Sequence, residues 1–250
     1  MAGHSHAANV ARRKGSVDAK RAKTFSKCAK AIMSAVRQGG PDPDQNLKLR
    51  YAYEKARAAN MPKDRIEYAI RRASGEGQGD LEELMYEGYA PGGVALMVGC
   101  LTDNRNRTAA DVKFIFEKRG GNLGAQGSVG FLFNFRAIFV IETGQRDEEA
   151  LMELALEAGA EDVELDGDVA TIYADAKDFL EVKSALEAAD AELVFLSAET
   201  GYVPETSVEV DSLEDAKKLL KLVEALEDNE DVQTVYANYS MPDEWLEELG

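Results

Sequence analysis

The sequence predicts an α+β protein: an N-terminal three-helix domain followed by two α/β domains of ferredoxin-like type, one inserted in the other. Three observations predict it. Apolar residues recur at helical spacing as far as a glycine-rich stretch at 75–79, where alternating strand and helix patterns take over. Residues 135–204 read in the order βαββαβ, the split βαβ unit. The flanking segments, 80–134 and 205–240, each hold strands with too few helices to cover a sheet, so they are expected to combine into one discontinuous domain. A chain of 250 residues suits two domains of about 150 residues, or three smaller ones.

Residues 1–15 carry little apolar periodicity and hold Arg12, Arg13 and Lys14 together, the pattern of a basic arm. A helix over 16–38 follows, with Ser16 as N-cap and Gly39-Gly40 as its stop. Phe25, Ala29, Ile32, Met33 and Val36 fall on one face, while Lys20, Lys23, Lys27, Lys30 and Arg37 line up roughly opposite. Asp42-Pro43 predicts the start of a second helix reaching about Asn60, and Pro62 opens a third that ends at Gly75. Arg65, Arg71 and Arg72 add positive charge there.

Beyond the linker, Met85–Ala90 and Val94–Leu101 predict a hairpin about Pro91-Gly92-Gly93. Ala109–Lys118 predicts a helix capped by Thr108, and Ser128–Phe133 a strand. The inserted unit then reads strand 136–142, helix 147–158, strands 161–166 and 169–174, helix 176–188 and strand 191–197. Strand 206–210, helix 212–227 and strand 232–238 complete the outer domain. The expected domains are thus 1–75, 80–134 with 205–240, and 135–204.

Charge is divided unevenly. Residues 1–75 carry 17 Lys and Arg against 6 Asp and Glu, a net of +11, whereas residues 76–250 carry 12 against 40, a net of −28. Counterion release favours a locally basic surface on phosphates whatever the total charge. Nucleic-acid contact is therefore expected to begin in the first 75 residues.

Little in the chain suggests catalysis. His4 and His6 are the only histidines, and Cys28 and Cys100 are far apart, which suits free thiols in a reducing, cytoplasmic setting. No apolar run approaches the ~18 residues of a membrane span, and no signal-peptide core precedes the first helix. The glycine-rich stretch 120–127 lacks the ending of a phosphate loop and enters a strand rather than a helix. The carboxylates of 142–231 show no metal-ligand spacing. The expectation is a protein that is not an enzyme and has no metal, cofactor or small-molecule substrate. Asp103-Asn-Arg-Asn-Arg-Thr108 places two asparagines and two arginines beside a helix N-terminus, where such a loop holds phosphate or a nucleic-acid edge.

MAGHS at the start, RKG at 13–15, DAKR at 18–21, NMPKD at 60–64, YEGYAPGGVA at 86–95, LTDNRNRT at 101–108 and GGNLG at 120–124 resemble the YebC/PmpR family through nearly the whole chain. That family includes the mitochondrial translational activator of cytochrome oxidase subunit one. The resemblance implies a helical domain and two α/β domains, and a regulator of gene expression that binds promoter DNA or, in other members, ribosomal or transfer RNA in the ribosome. It brings His4, Ser5, Arg13, Lys14, Lys20 and Arg21 forward as contacts and matches Asn104, Arg105, Asn106 and Arg107. The residue pattern adds Arg12, Lys23, Lys27 and Lys30. The family start is close to MAGHSKWANIKHRKG; here His6, Ala7 and Ala11 stand at the lysine, tryptophan and basic positions, and the loss of the tryptophan removes a stacking platform. A protein–protein adaptor, with acidic domains on a basic partner, is the alternative from another class.

Overall fold

The structure, a computed structural model, describes residues 19–75, 81–242, 244–245 and 249, with side chains from Lys23 onward. It bears out the α+β class: three helices come first, then two four-stranded antiparallel sheets with their helices. The residues form two compact units, one of residues up to Gly130 with Glu214–Ala237, the other of Phe131–Leu213 with the residues from Asn238.

In the first unit, α1 (Ala19–Gly39), α2 (Leu47–Ala58) and α3 (Lys63–Ala73) enclose Ile32, Leu49, Ala56 and Ile66, all fully buried. Gly40 closes α1 at φ 88°, its N–H donating to Val36 O at 2.7 Å. The second helix starts later than Asp42-Pro43 predicts. Asp42 instead caps a turn, accepting from Asp44 N and Gln45 Nε2, and the helix cap is the buried Asn46. Asn46 Oδ1 accepts from Leu49 N at 3.1 Å, while its Nδ2 donates to Ala35 O at 2.7 Å and Gly40 O at 2.8 Å. One amide thus caps α2 and satisfies two carbonyls at the end of α1. Any side chain at Gly39 would meet it, since a Cβ there would lie 2.7 Å from Asn46 Cγ.

The predicted hairpin is present as β1 (Glu82–Tyr89) and β2 (Ala95–Thr102), antiparallel in register from Glu82↔Thr102 to Tyr89↔Ala95. The helix after it, α4 (Arg105–Lys118), begins earlier than expected, because Asn104 rather than Thr108 is its cap. Thr108 is one turn inside, and its hydroxyl is committed elsewhere. A short β3 (Asn122–Leu123) pairs with β1. Residues 128–132 do not form the expected strand: they fold into turns, with a 3-10 turn at Gly130–Leu132. After the second unit the chain returns as α7 (Leu213–Glu227) and β9 (Val232–Ala237), and β9 pairs antiparallel with β2, giving the order β3-β1-β2-β9.

The second unit holds β4 (Phe133–Glu142), α5 (Glu148–Glu157), β5 (Asp162–Asp166), β6 (Val169–Asp175), α6 (Phe179–Ala189) and β7 (Phe195–Pro204). Its strand order, β5-β6-β4-β7 with every pair antiparallel, is that of the split βαβ fold. Phe139 of β4 stacks on Phe179 of α6, ring centroids 5.1 Å apart, and forms the core on the helical side. The last strand starts at Phe195 instead of 191, because Asp190 ends α6 and its carboxylate accepts from Glu192 N to hold a turn. A two-stranded parallel pair, β8 (Val208–Glu209) with β10 (Tyr239–Ser240), completes the unit.

Candidate nucleic-acid interface

The lysine line of α1 exists as its spacing predicts, but it does not stand open. Lys23 Nζ lies 2.8 Å from Asp228 Oδ1, and Lys27 Nζ donates to Glu227 O at 2.6 Å. Lys30 Nζ donates to Glu230 O at 3.0 Å and to Asp231 Oδ1 at 2.9 Å. All four acceptors belong to the end of α7 and the turn that leads into β9, where the carbonyl end of a helix and its acidic residues concentrate negative potential. The cations chosen for phosphates thus meet carboxylates and carbonyls of their own chain.

Asp231 is the centre of this turn and is buried, with 3% of its surface exposed. Its Oδ2 accepts from Arg107 Nη2 at 2.8 Å and from Thr108 Oγ1 at 2.9 Å, so the carboxylate ties α1, α4 and the start of β9 together. Burial pushes its pKa up, but the bonds from Arg107, Lys30 and Thr108 outweigh that and hold it at about 2. Cys100 behaves oppositely: burial and the Asp231 charge push its thiol up to about 12.

The Asn104–Arg107 segment divides in two. Asn104 Oδ1 accepts from Arg107 N at 3.1 Å and is a helix cap, while Arg107 also reaches Asp103 Oδ1 at 3.0 Å. Both therefore serve the local structure. Arg105 and Asn106 are exposed on the first turn of α4. His4, Ser5, Arg12, Arg13 and Lys14, with the side chains of Lys20 and Arg21, lie outside the described residues.

Two features were not singled out by sequence reasoning. The first is Asp231 itself, whose neighbours in the chain look like an ordinary solvated acidic turn. The second is how the basic residues of α3, expected only as added positive charge, are partnered. There Lys63 and Arg71 bracket Glu67 at 3.8 and 3.9 Å, whereas the Arg65 guanidinium lies 5.8 Å from the Phe25 ring of α1.

The end of the glycine-rich stretch and the turn after it cradle an anion, though not a phosphate. The Glu87 carboxylate of β1 is buried and accepts from Gly127 N at 2.7 Å, Val129 N at 2.8 Å and Gly130 N at 2.7 Å. Burial alone would raise its pKa, but the three N–H groups lower it on balance. Among the described residues no group of His, Cys, Asp or Glu has the makings of a metal site, and no helix is long and apolar enough to cross a membrane.

Comparison with known proteins covers both parts of the chain. Residues 5–76 match the TACO1/YebC protein N-terminal domain, and residues 81–239 match the TACO1/YebC second and third domain. A protein of Halothermothrix orenii named "probable transcriptional regulatory protein" is 49% identical over 252 residues, covering 100% of this chain and 99% of its own. A Treponema pallidum protein of the same name is 50% identical over 245 residues, 98% of this chain and 99% of its own. Among solved structures, the crystal structure of a conserved hypothetical protein from Aquifex aeolicus matches with a TM-score of 0.81 at 44% identity, over 91% of this chain and 93% of that one.

Proposed function

Because the chain belongs to the TACO1/YebC family, whose relatives above are named transcriptional regulators, we propose that it regulates gene expression by binding DNA through its basic N-terminal segment. The observation that carries this reading is the net charge of +11 over residues 1–75, against −28 over the rest. A polyanion is drawn to that segment by counterion release and repelled by the remainder. The cation set is narrower than the whole basic face of α1, since Lys23, Lys27 and Lys30 already hold the acidic turn. We assign phosphate contact to Arg12, Arg13, Lys14, Lys20 and Arg21, with His4 and Ser5 beside them. Arg105 and Asn106 are the polar pair available on α4.

Fluorescence anisotropy on a labelled duplex, titrated across salt concentrations, tests this. Replacing Arg12, Arg13 and Lys14 by Ala is expected to weaken binding on every sequence and to reduce the salt slope by about 0.9 for each phosphate that is no longer neutralised. An unchanged affinity and slope would overturn the assignment. Gradient sedimentation of lysate with the same variant separates the nucleic acids: ribosome co-migration that disappears in the variant would move the reading from DNA to ribosomal RNA.

A further inference from the structure

The outer side of α1 and α3 forms a groove of about 330 Å³. Its floor is apolar, built from Phe25, Ala29 and Met33 of α1, all half-buried. Its rim is cationic and aromatic, with Arg65, Tyr68 and Arg72 of α3 at i, i+3 and i+7 on one helix face. Tyr68 is 59% exposed and lines the groove with its ring. The Arg65 guanidinium stands over the Phe25 ring, 5.8 Å from its centroid.

Resting on the nucleic-acid reading above, we infer that this groove receives an unpaired base of a nucleic-acid strand, stacked on Tyr68 over the apolar floor, with Arg65 on a flanking phosphate. Two properties select that occupant. A flat π-face and an apolar floor reward an unstacked base, whose ring has no such partner once it leaves its duplex. The Arg65 guanidinium at the rim matches phosphate oxygens and also stacks on rings, the combination that single-strand binding surfaces use. A paired base within a duplex cannot enter, because its ring faces are covered by its neighbours. The groove therefore adds discrimination between paired and unpaired strands to a charge-based attraction that has none. Deoxyribose and ribose strands share this chemistry, so the inference is stated for the base and its phosphates.

The test uses the full chain and three labelled probes: a 12-nucleotide single-stranded DNA, the RNA of the same sequence, and the DNA duplex. Tyr68→Ala is expected to weaken binding to the single strands about tenfold while leaving the duplex within about twofold. Tyr68→Phe keeps the ring and is expected to retain wild-type affinity. A 2-aminopurine placed mid-strand reports stacking directly: its fluorescence is expected to fall on binding to the wild type and not to Tyr68→Ala. The pair of single strands separates the sources, since equal losses on both fit a base-and-phosphate site, whereas a loss on RNA alone assigns it to RNA. Equal affinity of Tyr68→Ala and wild type for the single strands, with no difference in 2-aminopurine quenching, would overturn the inference and leave the proposed function standing. Failure of the wild type to bind any of the three probes would overturn the proposed function itself.

Discussion

Lys30 donates to Asp231 at 2.9 Å across 201 positions of sequence, and the same carboxylate accepts from Arg107 and Thr108. A single buried acid thereby fixes the first described helix to the strand that completes the first sheet.

Removing that acid leaves two cations facing each other without their counter-charge. Asp231→Asn is expected to lower unfolding stability by about 2–3 kcal/mol, below the ~3–5 kcal/mol of a fully buried pair because Arg107 is half exposed and can regain water. The sign of the pH dependence follows from the depressed pKa of about 2. The stabilisation is fully present above the unfolded carboxyl value near 4 and is lost as pH falls from there through about 2. Urea denaturation at pH 5 and pH 2.5 should show a steep loss in the wild type and a shallower one in Asp231→Asn; parallel losses would mean that other carboxylates carry the acid sensitivity.

Glu87 makes a second prediction, local to one loop. Glu87→Gln replaces one accepting oxygen by an N–H₂ that confronts backbone N–H groups, at an expected cost of about 2–3 kcal/mol. Hydrogen exchange at Gly127, Val129 and Gly130 should quicken in this variant well before that of β1 and β2. Unaltered protection at those three amides would show that the loop holds its shape without the carboxylate.

The cysteines supply a third. Cys28 and Cys100 are both free and buried, and burial raises both thiols, Cys100 to about 12. Since the thiolate is the reacting species, an aromatic disulfide reagent at pH 8 should leave the native protein unmodified and titrate two thiols in concentrated urea. Prompt reaction of the native protein would contradict this burial.

The sequence foretold the lysine line of α1 because spacing in steps of three and four is a local property, but not where that line points. Its partners lie two hundred residues away, in a turn whose composition suits solvent equally well. Asp42-Pro43 offered a strong local cap signal, yet the cap went to Asn46, because only that residue is buried where it can also serve the carbonyls of Ala35 and Gly40. Thr108 was a good cap by type; its hydroxyl is claimed by Asp231. At 128–132, residues with strand character fold into turns because their N–H groups surround a carboxylate from another strand. The order βαββαβ survived intact, since it depends on alternating periodicities and not on any single side-chain pairing.

The pairing of β9 with β2 also governs the order in which the molecule can be made. Cys100 meets Val232 only after the whole intervening unit has left the ribosome, so the first sheet stays one strand short during most of synthesis. Through that interval the lysines of α1 have no acidic turn to hold. Emergence of β9 then withdraws those lysines from circulation.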